Sequence, residues 1–122
     1  MRILIIEDDI FLQKFYSTKL QERGIEVEVA SEGGEGLMKM KSMKPDLVLL
    51  DLIMPKMDGF AVLTARLQDE NLKKIPVIAF SALGQEKDIE KAQKLGVNNY
   101  ISKGSFDFNN MIATINQVMK SH

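Results

Sequence analysis

Four short apolar runs of this chain end in side chains that can do chemistry together. Glu7-Asp8-Asp9 follows Ile3–Ile6, and Asp51 follows Leu47–Leu50. Ser81-Ala82 follows Val77–Phe80, and Ser102-Lys103 follows the weaker run Tyr100-Ile101. Crowded carboxylates repel one another and need a cation. Hard oxygen donors in this number suit Mg2+, which binds through one or two carboxylates plus phosphate and keeps several waters. A hydroxyl and an ammonium beside it would complete a pocket for a small dianion. Taken singly, each residue has a plainer reading: Asp9 as a helix N-cap, Asp51 as one of the aspartates that loops carry freely. It is their coincidence at four run ends that points to a site.

Convergence requires those runs to be neighbours, and the pattern of the chain supplies a reason. Ile3–Ile6, Leu47–Leu50 and Val77–Phe80 are apolar at every position, as strands covered on both faces are; Val27–Ala30 and Tyr100-Ile101 are the other two runs. Between them lie stretches of helical spacing. Phe108, Met111, Ile112, Ile115, Val118 and Met119 form one apolar stripe, Phe60, Leu63 and Leu67 another. Leu12, Phe15 or Tyr16, and Leu20 mark a first helix; Leu37 and Met40 a second; Ile89, Ala92 and Leu95 a fourth. Gly24 and Gly96 stand where a helix ends in positive φ, Pro45 and Pro76 precede strands, and Asp9 and Asp107 are N-caps. Five strand–helix units with short connections and right-handed crossovers predict an α/β, three-layer doubly wound sandwich, whose function gathers at the carboxyl ends of its strands. The eight methionines are read as core filler on the helix stripes.

Composition removes several classes of function. A chain of 122 residues is one domain, and 45% hydrophobic with 27% charged is a globular balance. Sixteen basic against 17 acidic residues give a net charge of −1, without the excess a nucleic-acid-binding domain carries. There is no cysteine, and the one histidine is His122, so thiolate chemistry and histidine-based catalysis are not expected. No run reaches the length of a membrane span or a signal-peptide core, so a soluble, cytoplasmic protein is expected. Gly33-Gly-Glu-Gly36 follows the second run and matches neither dinucleotide nor P-loop spacing. A phosphatase of the haloacid-dehalogenase type wants Asp-x-Asp, whereas Asp51 is followed two on by Ile53.

The motifs Ile3-Leu-Ile-Ile-Glu7-Asp8-Asp9, Asp51-Leu-Ile-Met-Pro55-Lys-Met-Asp58-Gly59, Phe80-Ser81-Ala82 and Tyr100-Ile-Ser-Lys103 resemble the receiver domains of two-component response regulators. The likeness is of the chemotaxis-regulator kind and spans essentially the whole chain, residues 1–122. It implies a flavodoxin-like fold with a five-stranded parallel sheet in order 2-1-3-4-5 and five helices on both faces. It implies that Asp51 is the phosphoacceptor, attacking a phosphohistidine on a sensor histidine kinase or a histidine phosphotransfer protein. Asp8 and Asp51 would ligate Mg2+, with the Ile53 carbonyl as a backbone oxygen and Glu7 acting through water. Ser81 and Lys103 would hold phosphoryl oxygens once Asp51 is modified. Tyr100 would be the switch aromatic that turns inward with Ser81; a half-buried aromatic on an edge strand is the plainer reading. The face of the fourth helix, fifth strand and fifth helix would then change for a partner. The resemblance implies a switch, not a turnover enzyme; the alternative is a pseudo-receiver interaction module without phosphotransfer.

Two departures from the family pattern bear on the site. Proline usually follows the lysine, but here Gly104 does, so a trans bond and a looser loop are expected. Ile53 and Leu83, two beyond Asp51 and Ser81, are apolar and cannot orient a water, which predicts a long-lived phosphorylated form. No DNA-binding domain is expected after residue 120, and nothing ordered before Met1. The protein is thus either a stand-alone receiver or one cut from an output domain. His122, outside any helix bundle, is not expected to carry phosphotransfer.

Overall fold

A computed structural model describes residues 1–105 and 107–121; Phe106 and His122 lie outside the described residues. Strands β1 (Arg2–Ile6), β2 (Glu26–Ala30), β3 (Leu47–Leu50), β4 (Val77–Ser81) and β5 (Asn99–Ser102) alternate with helices. These are α1 (Ile10–Gln21), α2 (Gly33–Met43), α3 (Gly59–Leu67), α4 (Glu86–Lys94) and α5 (Phe108–Lys120). Single 3-10 turns occupy Leu72–Lys74 and Lys103–Ser105. All strand pairs are parallel, in the expected order β2-β1-β3-β4-β5.

The continuous apolar runs are explained by the two cores. Leu4, Ile6, Val48, Leu50, Val77 and Ala79 face one side, with Met40, Val62, Leu63, Leu72 and Ala92 from α2, α3, α4 and the first 3-10 turn. Ile3, Ile5, Leu47, Leu49, Ile78 and Phe80 face the other, with Tyr16, Leu20, Met111, Ile115 and Val118 from α1 and α5. Successive strand residues alternate between the two, so a central strand has no polar face to show. The edge strand β2 does have one: Glu26 and Glu28 are exposed.

Helix ends follow local chemistry. Asp9, Asp58 and Asp107 accept backbone N–H groups in the first turns of α1, α3 and α5. Gly24 (φ +79°) and Gly96 (φ +92°) take the left-handed turns after α1 and α4. Other expectations shift. In α1 Tyr16 is the buried aromatic and Phe15 is exposed. In α3 the inner positions go to Val62, Leu63 and Arg66, leaving Leu67 partly in solvent. Met40, Met54 and Met111 fill core, but Met38 is exposed and Met54 comes from a loop, so the methionines are not uniformly stripe residues.

Register is what aims the site. One rung runs Ile6–Leu50–Ala79–Tyr100 across four strands. The next residues along β1 and β3 are Glu7 and Asp51, side by side past the ladder. β4 continues two residues beyond the rung to Ser81, which pairs with Ser102 just before Lys103.

Candidate functional site

At the carboxyl edge of the sheet, carboxylate oxygens of Glu7, Asp8 and Asp51 lie within 4.8 Å of one another. Glu7 and Asp51 are buried; Asp8 is exposed. Lys103, reached from the 3-10 turn after β5, puts its ammonium 2.5 Å from Glu7 Oε1 and 3.3 Å from Asp51 Oδ2. The two buried carboxylates thus share one cation, with the exposed Asp8 carboxylate beside them. The donors are all hard oxygens, one of them open to solvent, which fits a magnesium ion better than any soft metal.

Local structure fixes each member. Asp51 N–H donates to the Ile6 carbonyl at 3.0 Å, a last rung between β1 and β3. Its Oδ1 accepts the Ile53 N–H at 3.1 Å, an Asx turn that folds the chain back after the strand. Behind it, Gly59 N–H donates to the Leu52 carbonyl at 3.0 Å. A Cβ at Gly59 would stand 2.5 Å from the Asp51 carbonyl oxygen, so only glycine lets α3 start this close. Glu7 accepts the Asp9 N–H at 3.2 Å beside the cap of α1. Beneath the ammonium, Phe80 has Lys103 Nζ 5.5 Å from its ring centroid and Tyr16 edge-on at 4.8 Å.

Burial shapes the proton chemistry. It pushes the Glu7 carboxyl up to about 7, aided by the Asp51 charge and opposed by the Lys103 hydrogen bond. For Lys103, burial alone would favour the neutral amine. The Glu7 hydrogen bond and the Asp51 and Glu7 charges outweigh it and hold the ammonium above its ordinary range. Glu7 thus keeps its proton to a higher pH than an exposed carboxyl would, which eases the crowding of the pocket.

Ser81 is fully buried, its hydroxyl accepting the Leu83 N–H at 3.2 Å. Tyr100 reaches over from β5 and donates its hydroxyl to the Leu83 carbonyl. The side chain is half-buried and already turned toward the loop between β4 and α4 with Asp51 unmodified. Leu83 packs into the core on the α2, α3 and α4 side, whereas Ile53 is 50% exposed. Of the two apolar positions expected to flank the site, only Ile53 is open to solvent beside Asp51. No described peptide bond is cis, so Lys103–Gly104 is trans as expected without proline.

Two buried polar residues were not anticipated. Gln13 on α1 donates its side-chain amide to the Glu7 carbonyl and, at 3.1 Å, to Ser31 Oγ. Arg66 on α3 donates to the Ile75 carbonyl at 2.8 Å and the Lys73 carbonyl at 3.3 Å, far from the pocket. A polar side chain at an inner helical position was the available signal for Gln13: Gln13, Tyr16 and Leu20 step i, i+3, i+7.

A doubly wound α/β domain with an acidic, lysine-capped pocket at its strand ends is the architecture of phosphorelay receivers. The chain belongs to the response regulator receiver domain family, matching it over residues 3–116. It is 40% identical to the chemotaxis protein CheY of Treponema pallidum, over 98% of this chain and 83% of that protein. It is 36% identical to the DNA-binding dual master transcriptional regulator RpaA of Synechocystis, over 98% of this chain but only 49% of the regulator. This chain therefore spans about half the length of that relative. Among solved structures it resembles the receiver domain of a Francisella response regulator: TM-score 0.88, 31% identity, covering 98% of this chain and 97% of that one. Receiver domains bind Mg2+ at an acidic pocket of this kind, and as a class they are signalling switches rather than turnover enzymes. Among the described residues no helix is long and apolar enough to cross a membrane.

Proposed function

We propose that residues 1–122 form one receiver domain that takes a phosphoryl group onto Asp51 from a phosphohistidine and passes the change to a partner protein. The observation that carries this is the cluster of Glu7, Asp8 and Asp51 carboxylates, two of which hold the Lys103 ammonium. In the transfer, an Asp51 carboxylate oxygen attacks phosphorus, and the P–N bond to imidazole breaks with its electron pair leaving on nitrogen. Such a transfer needs positioning and charge neutralisation more than covalent help. Mg2+, held by Asp8, Asp51 and the Ile53 carbonyl with Glu7 acting through water, would neutralise charge on the phosphoryl oxygens. Lys103 would move from its carboxylate partners to a phosphoryl oxygen. Ser81 would turn its hydroxyl to donate to another, drawing with it the loop that its Oγ holds through the Leu83 N–H. Tyr100 would report that movement to the face of α4, β5 and α5.

The donor would be a sensor histidine kinase or a histidine phosphotransfer protein. Exposed apolar side chains beside the pocket suit such a docking: Phe11 is 75% exposed and Ile10 62%. The recipient would be a separate protein or an output domain of a longer chain, in the cytoplasm, with no direct contact between this domain and nucleic acid. Incubation with acetyl phosphate tests the central step. The wild type is expected to gain the mass of one phosphoryl group when Mg2+ is present and none when it is chelated; Asp51→Asn should gain none. A wild type that stays unmodified would leave only an interaction module.

A further inference from the structure

The Glu7 carbonyl ends the β1 ladder without a strand partner. Glu7 N–H still donates to the Ala30 carbonyl at 3.0 Å, so this edge of Glu7 faces β2. Glu32, the residue whose N–H would make the next rung, instead opens α2 as its N-cap, and the turn before it is held by Ser31 N–H donating to Glu35 Oε1 at 2.6 Å. A buried carbonyl left like this needs a donor from elsewhere. Gln13 supplies it: its Nε2 donates to the Glu7 carbonyl and to Ser31 Oγ, and the residue is buried although it is polar.

We infer that Gln13 is a positioning residue for the acidic pocket, holding the Glu7 backbone so that the Glu7 and Asp8 carboxylates stay beside Asp51. This rests on the proposed function of that pocket. Gln13 is itself placed by α1, whose first turn is set by the Asp9 cap and the Gln13 N–H bond to the Asp9 carbonyl at 2.9 Å. One amide therefore ties the loops after β1 and β2 to a single helix. Glu7 is held at its other end by Lys103, at 2.5 Å from Oε1. Releasing its carbonyl lets the two residues that follow β1 drift, and groups that orient metal ligands from behind affect affinity strongly.

The test compares wild type, Gln13→Met, which keeps the length and removes the donors, and Gln13→Arg, which restores a donor. MgCl2 titration is followed through amide resonances well below the unfolding temperature. Gln13→Met should bind Mg2+ about tenfold more weakly, and Gln13→Arg should recover most of that loss. Without Mg2+, the amides of Glu7, Asp8 and Asp9 should shift in Gln13→Met, and the Asp9 N–H should exchange faster. With acetyl phosphate, the Mg2+ level for half-maximal rate should rise while the rate at saturating Mg2+ stays near wild type. A Gln13→Met protein that is merely less heat-stable, with wild-type Mg2+ affinity and unmoved amides, overturns the inference. If it does not fold, Gln13→Asn, one methylene too short to reach, carries the same comparison. A wild type that binds no Mg2+ overturns the pocket's proposed function as well, whereas a binding wild type matched by Gln13→Met overturns the role of Gln13 alone.

Discussion

Glu7 shows how the pocket is tuned by burial rather than by charge alone. Its carboxyl ordinarily titrates near 4.5, but burial lifts it to about 7 despite the Lys103 hydrogen bond. Between those values the unfolded chain has released the proton and the folded chain still holds it. The folded state therefore binds more protons, and stability falls as pH rises through this window. The contribution is fully present below about pH 4.5 and gone above about pH 7, a difference on the order of 3 kcal/mol. In metal-free buffer, thermal unfolding of wild type is expected to drop between pH 5 and pH 7.5 more than that of Glu7→Gln. Parallel slopes for the two proteins would mean that some other group sets the pH dependence. Excess Mg2+ should raise the wild-type midpoint most at the upper end of the window, because a ligand that binds only the folded state stabilises it by mass action.

Elements place these residues through a few close approaches, and α3 makes the tightest one against backbone. Its first residue, Gly59, lies against the Asp51 carbonyl and the Leu52 backbone, with no room for a methyl group. Gly59→Ala must push α3 away from β3 or distort the turn after Asp51, at a cost of about 3 kcal/mol for overpacking against backbone. Chemical denaturation should show that loss, with amide shifts concentrated at residues 51–54; a near-neutral change would mean the loop yields freely. The Asp-Gly pair at 58–59 was visible in the sequence as part of a motif, but its steric reason was not, since that depends on which backbone it meets. Helix ends were legible at Asp9, Asp107, Gly24 and Gly96 because caps are local chemistry. The choice between Phe15 and Tyr16 was not: the two differ by one helical step, and only packing against Phe80 selects Tyr16. Arg66 was illegible for a different reason. Its partners are carbonyls in the segment before β4, a loop whose path no side-chain pattern encodes.

At the scale of the molecule, the run ends implied that Glu7, Asp51, Ser81 and Lys103 gather at one edge of the sheet, whereas the strand order that makes them neighbours came from the family resemblance. What register does not convey is the state of the loop between β4 and α4. That loop is closed twice: the Leu83 N–H holds the Ser81 hydroxyl, and the Tyr100 hydroxyl holds the Leu83 carbonyl. α4 is tied further by Lys91, whose ammonium stands 4.4 Å from the Phe60 ring centroid on α3. A phosphoryl group on Asp51 that recruited the Ser81 hydroxyl would pull on the first of these contacts, and the second would then re-form in a new place or be lost. On the proposed function, Tyr100 would thereby couple the pocket to the surface of α4 and β5. A ligand shifts such an equilibrium only by its differential affinity for the two arrangements. Removing one neutral hydrogen bond changes the balance by about 1 kcal/mol, or roughly fivefold in population. Beryllofluoride with Mg2+ should move amides across residues 81–94 and at Tyr100 in wild type. In Tyr100→Phe the shifts near Asp51 should persist, while those along α4 shrink or split into two populations. Unchanged α4 shifts in Tyr100→Phe would assign the coupling to the backbone of the loop itself.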